Sequence, residues 1–537
     1  MAVLLAAKPA TLPHLAEKKL SGQAPWSRSR WSAVIASLTL LCFGIAGWHP
    51  YAEDGGMYLT RVLLRLDPTL YSRSHEFVLE PLRTSLFEPL VAGLVRLHIP
   101  LPWAMLALDL IALALTLTAA LALLRRITHN ERAQFAGVAL LATWVTVPVA
   151  GTSLLLLDPY LTARTLCAPF ALFAAAFALG AWDLRTQRGK LNSILCAASL
   201  LLAFGFHPLM GMYAAGLVIM LRLARSPQPT RWMSCATGLA LLAAIVMQLT
   251  ATPSSAALLA ADASRYYWFL SHWHWYELIG IAAPALILAA FATLRLPGFR
   301  PETRTLARAT LGLLASGLLV ELCCAQEHFA AHPVARLQPL RVLWSVYALL
   351  PLFLGAGLAL EAEAISSRSR HTSAWHPLRA VPIAIIVAAA ASFFVAQRDS
   401  FPGSPHLELP GRGNPNPWVQ AFVWSRDHTT KDALFALDAH YVNGAGEDAQ
   451  NFRAISLRSS LPDFSKDGGE AAIQPSLASL WLPAAEAQQG LNLISPAQRD
   501  ARLRAFAPDW LILASTAKTS APCPYDNGTV KVCRFPN

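Results

Sequence analysis

Long apolar runs, each separated from the next by a short polar segment, recur along most of this chain. A helix needs about 20 mainly apolar residues to cross a hydrocarbon layer of about 30 Å. The runs that approach this length predict about eleven membrane-spanning helices, at 31–48, 102–124, 133–150, 166–182, 191–206, 209–221, 232–250, 276–294, 306–324, 341–360 and 380–397. We therefore expect an all-α polytopic membrane bundle with a smaller polar part after it.

The composition agrees with lipid as the main solvent. Of the 537 residues 55% are hydrophobic and only 14% are charged, whereas a soluble domain carries roughly 25% charged residues. The net charge of +11 comes from basic residues between the apolar runs, where they face anionic lipid. The membrane lipid is thus an expected partner, and nucleic acid is not. The oligomeric state is not predicted.

Basic residues concentrate in alternate loops, and this asymmetry predicts the orientation. The tail 1–30 is basic, and the loops expected on its side carry Arg125, Arg126, Arg132, Arg185, Arg188, Lys190, Arg222, Arg225, Arg231, Arg295, Arg300, Arg304, Arg308, Arg368, Arg370 and Arg379. The positive-inside rule places this tail in the cytoplasm. We expect a plasma-membrane protein whose C-terminus, after an odd number of crossings, lies outside the cytoplasm.

The composition changes after the last apolar run and predicts four regions: a cytoplasmic tail 1–30, a transmembrane domain 31–397 with a large first outer loop 49–101, a linker 398–417 and a soluble outer domain 418–537. Short apolar runs alternate with helix-like stretches in the last region, which indicates a small α/β domain. Cys523 and Cys533 lie in its polar tail, where a disulfide is plausible if the tail is outside. The other six cysteines lie in apolar runs and are predicted to be small core residues.

The first outer loop begins with two adjacent carboxylates, Glu53 and Asp54, followed by Gly55 and Gly56. Glycines let backbone or ligand approach closely. A carboxylate here could deprotonate an acceptor hydroxyl as a general base or bind a divalent ion. The alternatives are a solvated amphipathic loop, or an Asp54 that is salt-bridged to Arg83 or Arg164.

A second polar segment contains Asp158 and Arg164. The two could pair with each other, or Arg164 could hold a phosphate, which suits its planar guanidinium. His207 lies at a predicted hairpin tip, where a helix-end role is the simpler interpretation. Arg336 and Arg341 could neutralise a lipid phosphate or anchor to headgroups.

Other polar residues give weaker signals. His272 and His274 lie in an aromatic stretch that favours an interfacial belt over a metal pair. Asp109 and Glu321 fall within predicted spans, where acids are costly and often functional; for Asp109 a hydrogen bond to a neighbouring helix is the simpler interpretation.

The cytoplasmic N-terminus, the acidic pair after span one and the soluble outer C-terminal domain together resemble the GT-C superfamily of membrane glycosyltransferases. That resemblance implies a polyprenyl-phosphate sugar donor and inversion at the transferred sugar. It implies Asp54 as the catalytic base, with Glu53 orienting it or sharing a metal. A second acidic motif of the metal-dependent members is missing, so the cofactor is unknown and a divalent metal stays open.

The chain resembles still more closely a group of uncharacterised bacterial multi-span membrane proteins. The shared runs are Tyr51 to Gly56, Asp158 to Arg164, His207 to Met210, Leu337 to Arg341 and a tail that includes Lys466-Asp467-Gly468-Gly469. This resemblance covers nearly the whole chain but implies no activity, because the group has none established.

The expectation is an integral membrane glycosyltransferase that transfers a sugar from a polyprenyl-phosphate donor to an acceptor outside the cytoplasm. Glu53 and Asp54 are the candidate catalytic residues, and the candidate substrate-binding residues are Asp158, Arg164, His207, Arg336 and Arg341. The alternative is a non-enzymatic membrane protein, either a lipid or solute transporter or a structural protein with a partner-binding outer domain. Half-chain repeats would favour a transporter, and none is evident.

Overall fold

The computed structural model describes residues 26–79, 85–368, 380–441 and 450–536. The first part of the chain is helical, with α1 Arg28–Ala46, α2 Glu53–Leu66, α3 His75–Leu79, α4 Phe87–Arg96, α5 Leu101–Ile127, α6 Glu131–Thr143, α7 Ala163–Ala178, α8 Gln187–Phe206, α9 Pro208–Ala224 and α10 Pro229–Leu249. It continues with α11 Ala256–Ala263, α12 Trp275–Thr293, α13 Pro301–Cys324, α14 Pro333–Arg336, α15 Leu343–Arg368 and α16 Val381–Ser400. Short 3₁₀ turns lie at Tyr266–Trp268, Leu270–His272 and Pro339–Val342.

Eight helices in the described residues are long and apolar enough to cross a membrane: α1, α5, α8, α10, α12, α13, the segment Pro333–Ile365 and α16. The helices α7 and α9 are apolar but shorter. Many large apolar side chains of the long helices face outward, as Leu239 and Leu249 do on α10. Such surfaces are stable against lipid and not against water. The architecture is that of a polytopic membrane protein, and the predicted number of eleven spans is not confirmed.

The predicted span 133–150 is too long. The helix α6 covers only Glu131–Thr143, which at 1.5 Å per residue is about 20 Å. After it the chain folds back, and the amide nitrogens of Leu156 and Leu157 donate to the carbonyl oxygens of Val147 and Val145 at 3.0 and 2.6 Å. Pro148 prevents a helix from continuing through this segment, because a proline disfavours helix in the residue before it. The loop before Asp158 pairs with this segment inside the protein.

The C-terminal domain, which we call the outer domain after its predicted location, has helices α17 Pro417–His428, α18 Phe452–Ser456, α19 Lys466–Ile473, α20 Pro475–Gln488 and α21 Pro496–Leu503, and a 3₁₀ turn at Arg504–Phe506. Its strands are β1 Leu434–Ala436, β2 Ser459–Ser460, β3 Trp510–Ala514, β4 Tyr525–Asp526 and β5 Val530–Arg534. They form one sheet in the order β2-β1-β3-β5-β4. The strand β1 pairs in parallel with β2 and β3, and β5 is antiparallel to β3 and β4. The predicted small α/β domain is confirmed.

The outer domain is closed by its own core and by a covalent link. Phe422, Phe435 and Phe452 are fully buried together on one side of the sheet. Cys523 and Cys533 form a disulfide, as the sequence made plausible. The other six cysteines are divided between core and surface. Four are buried, whereas Cys235 and Cys323 are exposed on helix surfaces. For these two the core prediction is wrong, because an apolar helix at the edge of the bundle exposes the residues of one face.

The first outer loop contains the three helices α2, α3 and α4, and α2 lies between the membrane bundle and the outer domain. The amide nitrogen of Asn451 donates to the carbonyl oxygen of Tyr51 at 2.8 Å, and Ala52 forms an isolated bridge with Gln450. At the preceding turn, the amide nitrogen of Trp48 donates to the His406 carbonyl oxygen at 2.9 Å. The start of α2 is therefore fixed by backbone contacts on the outer-domain side.

Asp109 does not make the hydrogen bond that was expected of it. Its side chain is buried in α5, and Oδ1 has no partner among the described residues. The segments 1–25 and 80–84, with Arg83, lie outside the described residues, so the alternative pairing of Asp54 with Arg83 stays a prediction.

Candidate functional site

A cavity of about 920 Å³ lies where α2, the α8–α9 turn, the Arg265–Trp268 segment, the Arg336–Arg341 segment and α19 meet. We call it the central cavity. Its described lining includes six basic side chains, Arg61, Arg164, Arg265, Arg336, Arg341 and Lys466, against two acidic ones, Asp54 and Glu470. A volume of this size holds a substrate-sized ligand, and the excess of positive charge favours an anion.

The acidic pair is positioned by close packing of α2. An added Cβ on Gly56 would lie 2.2 Å from the Asn451 Cβ, and one on Gly55 would lie 2.9 Å from Tyr160. Only glycine fits where α2 is pressed between these neighbours. Glu53 itself has a left-handed backbone with φ of 48°, a conformation that costs a non-glycine residue about 1–2 kcal/mol. The surroundings therefore hold the two carboxylates in one strained arrangement.

Asp54 is held between two cations from distant parts of the chain. Its Oδ2 lies 2.8 Å from Nη2 of Arg164, at the start of α7, and its Oδ1 lies 2.8 Å from Nζ of Lys466, at the start of α19. Lys466 also forms an ion pair with Glu53. The same Nη2 of Arg164 donates to Asp158 Oδ2 at 2.9 Å. The result is one network of three carboxylates, one guanidinium and one ammonium.

The network fixes the charge states of its members. Burial alone would raise the pKa of Asp54, but Lys466 and Arg164 outweigh it and hold that pKa well below its ordinary value. Burial raises the pKa of Glu53 and Asp158, and their cationic neighbours only partly offset this. Burial opposes the charge of Lys466, yet Asp54 and Glu53 keep its pKa far above the ordinary range. Asp54 is therefore ionised and weakly basic while both cations contact it.

The donor set does not suit a divalent metal as it stands. Metals such as Mg²⁺ need several oxygen ligands around one point, and here the Lys466 ammonium already lies between the two carboxylates of Glu53 and Asp54. Groups of three or more metal-ligating side chains are absent from the parts of the chain that the structure describes. No step of the chemistry below passes through a metal.

The helix α19 covers the cavity from the outer-domain side, and its N-terminal end and its middle contact α2 and Arg265. Besides the Lys466 contacts, Arg61 of α2 forms an ion pair with Glu470, and both side chains are almost fully buried. Arg265 donates to the carbonyl oxygens of Ser465 and Phe464 at 2.5 and 3.0 Å. The outer domain thus contributes a wall of the site.

Most cations of the central cavity are already paired, and Arg341 differs from them. Arg336 contacts Asp262 at 2.9 and 3.3 Å, and Arg265 is occupied by the two carbonyls. Within the described ranges, Arg341 has no carboxylate within 4 Å and its buried Nε has no hydrogen-bond partner. An arginine on a cavity wall without a counter-charge is a ready receptor for a phosphate group.

His207 caps the α8–α9 turn and lines the same cavity. Its Nδ1 accepts a hydrogen bond from the Met210 amide at 3.3 Å, so the proton of the neutral ring lies on Nε2. Burial lowers the pKa of His207 to about 3, and the neighbouring Arg341 and Arg164 contribute to this shift. The helix-end role predicted for His207 is confirmed, and the neutral ring also presents a donor to the site.

One part of the cavity wall is apolar. Phe204 and Met212, on α8 and α9, line it together with Leu209, Leu337 and Ile473. Phe204 and Met212 are each 38% exposed and Leu337 is 39% exposed, so this wall offers accessible apolar area that a hydrocarbon group could cover.

The structure brings five of the seven candidate residues, Asp54, Arg164, His207, Arg336 and Arg341, to the walls of this one cavity. Glu53 and Asp158 do not line the cavity. Glu53 contacts the lining residue Lys466, and Asp158 contacts the lining residue Arg164. The structural pairing of Asp158 with Arg164 is confirmed. The roles of all seven in binding and catalysis stay predictions.

Sequence reasoning missed Lys466, Arg61 and Arg265. Lys466 stands in the run Lys466-Asp467-Gly468-Gly469, which the bacterial resemblance already singled out, and this run was the available signal. Arg265 was included in the aromatic stretch interpreted as an interfacial belt. Nothing in the local pattern of Arg61 indicates that it faces Glu470 of the outer domain.

Comparison with known proteins adds a likeness of overall shape. Neither a protein-family model nor a curated protein matches the chain. Among solved structures, the archaeal oligosaccharyltransferase AglB from Archaeoglobus fulgidus, in complex with an inhibitory peptide and a dolichol-phosphate, matches 91% of this chain and 70% of its own chain, with 12% identity and a TM-score of 0.42. At this TM-score the likeness carries no argument about the site, whose chemistry rests on the residues of this chain.

Proposed function

We propose that the protein is a membrane glycosyltransferase that takes a sugar from a polyprenyl-phosphate donor and transfers it to an acceptor outside the cytoplasm. The observation that carries this proposal is the central cavity itself. One volume contains a held carboxylate, Asp54, an arginine with no counter-charge among the described residues, Arg341, and an apolar wall. A lipid-linked sugar phosphate has a hydrocarbon tail, an anionic phosphate and a polar ring. The apolar wall suits the tail, Arg341 suits the phosphate, and the region of Asp54 suits the ring.

In this proposal the donor phosphate binds Arg341 and draws Arg164 and Lys466 away from Asp54. Losing these two contacts would raise the pKa of Asp54 and so restore its basicity. The acceptor hydroxyl attacks the anomeric carbon, its proton passes to Asp54, and the bond between that carbon and the phosphate oxygen breaks. Polyprenyl phosphate leaves with the electron pair, and the arginines stabilise its growing charge. Attack opposite the leaving group inverts the sugar.

Two features support the proposed side of the membrane. The basic loops favour a cytoplasmic N-terminus. The Cys523–Cys533 disulfide is a bond that forms and persists in oxidising compartments. Both support an outer domain, and therefore a site, that faces away from the cytoplasm.

The test uses the purified full-length protein in nanodiscs with a panel of radiolabelled polyprenyl-phosphate sugars. Binding and sugar release are compared between wild type, Asp54→Asn and Arg341→Gln. We expect Asp54→Asn to retain binding and lose release at least a hundredfold, which is a typical contribution of general-base catalysis. Arg341→Gln should weaken binding about tenfold, because a charge-assisted hydrogen bond is lost.

The matched controls are Asp432→Asn and Arg412→Gln, two exposed positions of the outer side that do not line the cavity. They should leave both measurements unchanged. Binding of lipid-linked sugars without release in the wild type would turn the interpretation to a lipid or solute transporter. If no lipid-linked sugar binds a correctly folded protein, the proposed function is wrong.

A further inference from the structure

A second, much smaller cavity of about 10 Å³ adjoins the central one. We call it the polar recess. The two cavities share Tyr267, Trp268, Gln338 and Arg341, and the recess adds Thr152 and Glu321 from the bundle. This volume is about that of one water-sized group. The recess therefore admits one water molecule or one small substituent of a ligand in the central cavity.

Four buried polar atoms of the recess residues have no hydrogen-bond partner among the described residues. Two are acceptors, Oε1 of Glu321 and Oε1 of Gln338, and two are donors, Nε1 of Trp268 and Nε of Arg341. Glu321, Trp268 and Gln338 are only 1%, 2% and 7% exposed. Buried polar groups in proteins are nearly always paired. Four such atoms around one small volume therefore indicate a site that is completed by another molecule.

One of these residues, Gln338, has a strained backbone. Gln338 has φ of 50° and ψ of 63°, which is left-handed, and it precedes Pro339. A residue before proline strongly prefers an extended backbone. The conformation is held in part by the Tyr213 hydroxyl, which donates to the Gln338 carbonyl oxygen at 2.9 Å. Strain of this kind persists where the surrounding structure enforces it, often at ligand sites.

The balance of donors and acceptors selects the chemistry of the guest. A phosphate offers only acceptors and would face Glu321 and Gln338. A hydrocarbon chain would leave all four polar atoms unpaired, which is costly. An ammonium offers only donors and would meet the charge of Arg341. A hydroxyl group both donates and accepts, so it satisfies both kinds of partner in the recess.

We propose that the polar recess binds one hydroxyl-bearing substituent of the donor sugar and thereby selects which sugar is accepted. This inference rests on the proposed function and deepens it. Arg341 lines both cavities, so in this arrangement it binds the phosphate from one side while Glu321, Gln338 and Trp268 hold one hydroxyl of the sugar beside it. Trp268 and Glu321 are then specificity-determining residues and not part of the proton transfer.

The experiment measures two dissociation constants for the full-length protein in nanodiscs. One ligand is a polyprenyl-phosphate sugar that the wild type binds, and the other is the same polyprenyl phosphate without the sugar. The variants are Trp268→Phe and Glu321→Gln. The first removes the indole N–H donor together with part of the ring. Each should raise the constant for the sugar-bearing lipid about five- to tenfold, the loss of about one hydrogen bond, and leave the constant for the plain phosphate unchanged.

The matched controls are Trp275→Phe and Glu327→Gln, which change the same residue types at exposed positions outside the recess. Neither should alter either constant. Singly deoxygenated sugar donors then identify the hydroxyl: one of them should bind wild type and Trp268→Phe equally, because the removed hydroxyl and the removed donor are partners.

Three results overturn the inference while the proposed function stands. The first is equal weakening of both ligands in the variants, which indicates a structural role. The second is no effect on either ligand, which indicates that the recess holds a water only. The third is a wild type that binds the lipid equally well with and without its sugar. Failure of every lipid-linked sugar and of the plain lipid to bind wild type would instead reject the proposed function itself.

Discussion

At the scale of single residues, the ion-pair network of the site has fewer cations than carboxylates, so each cation contacts two carboxylates. Lys466 contacts both Glu53 and Asp54, and Arg164 contacts both Asp54 and Asp158. Removing one partner of a buried ion pair leaves a desolvated charge, which usually costs more than the pair contributed. Each cation of this network is therefore important for stability as well as for the proposed chemistry.

We predict that Lys466→Met lowers the free energy of unfolding by about 3 kcal/mol at neutral pH, and that the loss depends on pH. Burial already raises the pKa of Glu53, and Lys466 opposes that shift. Without Lys466 the pKa of Glu53 rises further above its unfolded-state value. Stability from such a group is present at low pH and is lost as pH rises through the folded-state pKa. The melting temperature of the variant should therefore fall further below wild type at pH 8 than at pH 5.

The control is Lys431→Met, which breaks an exposed ion pair with Asp67 on the same side of the protein. Exposed pairs contribute little, so we expect almost no change in melting temperature and no trend between pH 5 and pH 8. A Lys466→Met variant that behaves like Lys431→Met would show that Lys466 is not the counter-ion of the acidic pair.

At the scale of elements, α19 decides how the cavity is closed. Its first residue contacts the acidic pair, Glu470 in its second turn contacts Arg61, and Ala471 and Ala472 pack with Trp481 of α20 in one buried cluster. The helix contains adjacent glycines with different surroundings. An added Cβ on Gly468 would lie 2.9 Å from the Trp481 ring, whereas on Gly469 its nearest neighbour is Nη1 of Arg265 at 3.4 Å, an ordinary van der Waals distance.

We predict that Gly468→Ala destabilises the protein by about 1–3 kcal/mol, a typical cost of overpacking. Trp481 has little freedom to move, because it is 1% exposed and its Nε1 donates to the Asp463 carbonyl oxygen at 2.9 Å. Gly469→Ala should be neutral or stabilising by up to about 1 kcal/mol, since alanine favours helix. Thermal unfolding of both variants in the same detergent checks this; equal effects would contradict the packing described for α19.

Elements also mark the limit of what could be predicted from the sequence. The apolar runs predicted most long helices, since period and length are local properties. They did not predict that the chain after Thr143 folds back, because a proline and a few backbone hydrogen bonds decide this. Asp54 and Arg164 were recognisable as functional candidates by residue type. Lys466 was not, because its proximity to Asp54 depends on how the outer domain packs on α2, which no local pattern encodes.

At the scale of the whole molecule, charge distribution and the disulfide support the same orientation. We predict that alkaline phosphatase fused after Asn537 is active in a bacterial host, because that enzyme needs an oxidising compartment for its own disulfides. Fusion after Arg188, in a basic loop, should be inactive. Green fluorescent protein at the same two positions should show the opposite pattern. If the phosphatase is inactive after Asn537 and active after Arg188, the protein has the opposite topology and the prediction is wrong.

The contact between Lys466 and Asp54 joins side chains 412 positions apart in the chain. The first loop and the outer domain must therefore remain compatible with each other as the sequence changes. A chimaera that takes its outer domain from a related protein is expected to need the first loop of that same protein as well. Natural variation at Glu53, Asp54 or Arg164 should be accompanied by compensating variation at Lys466, so that selection acts on the four positions as one unit.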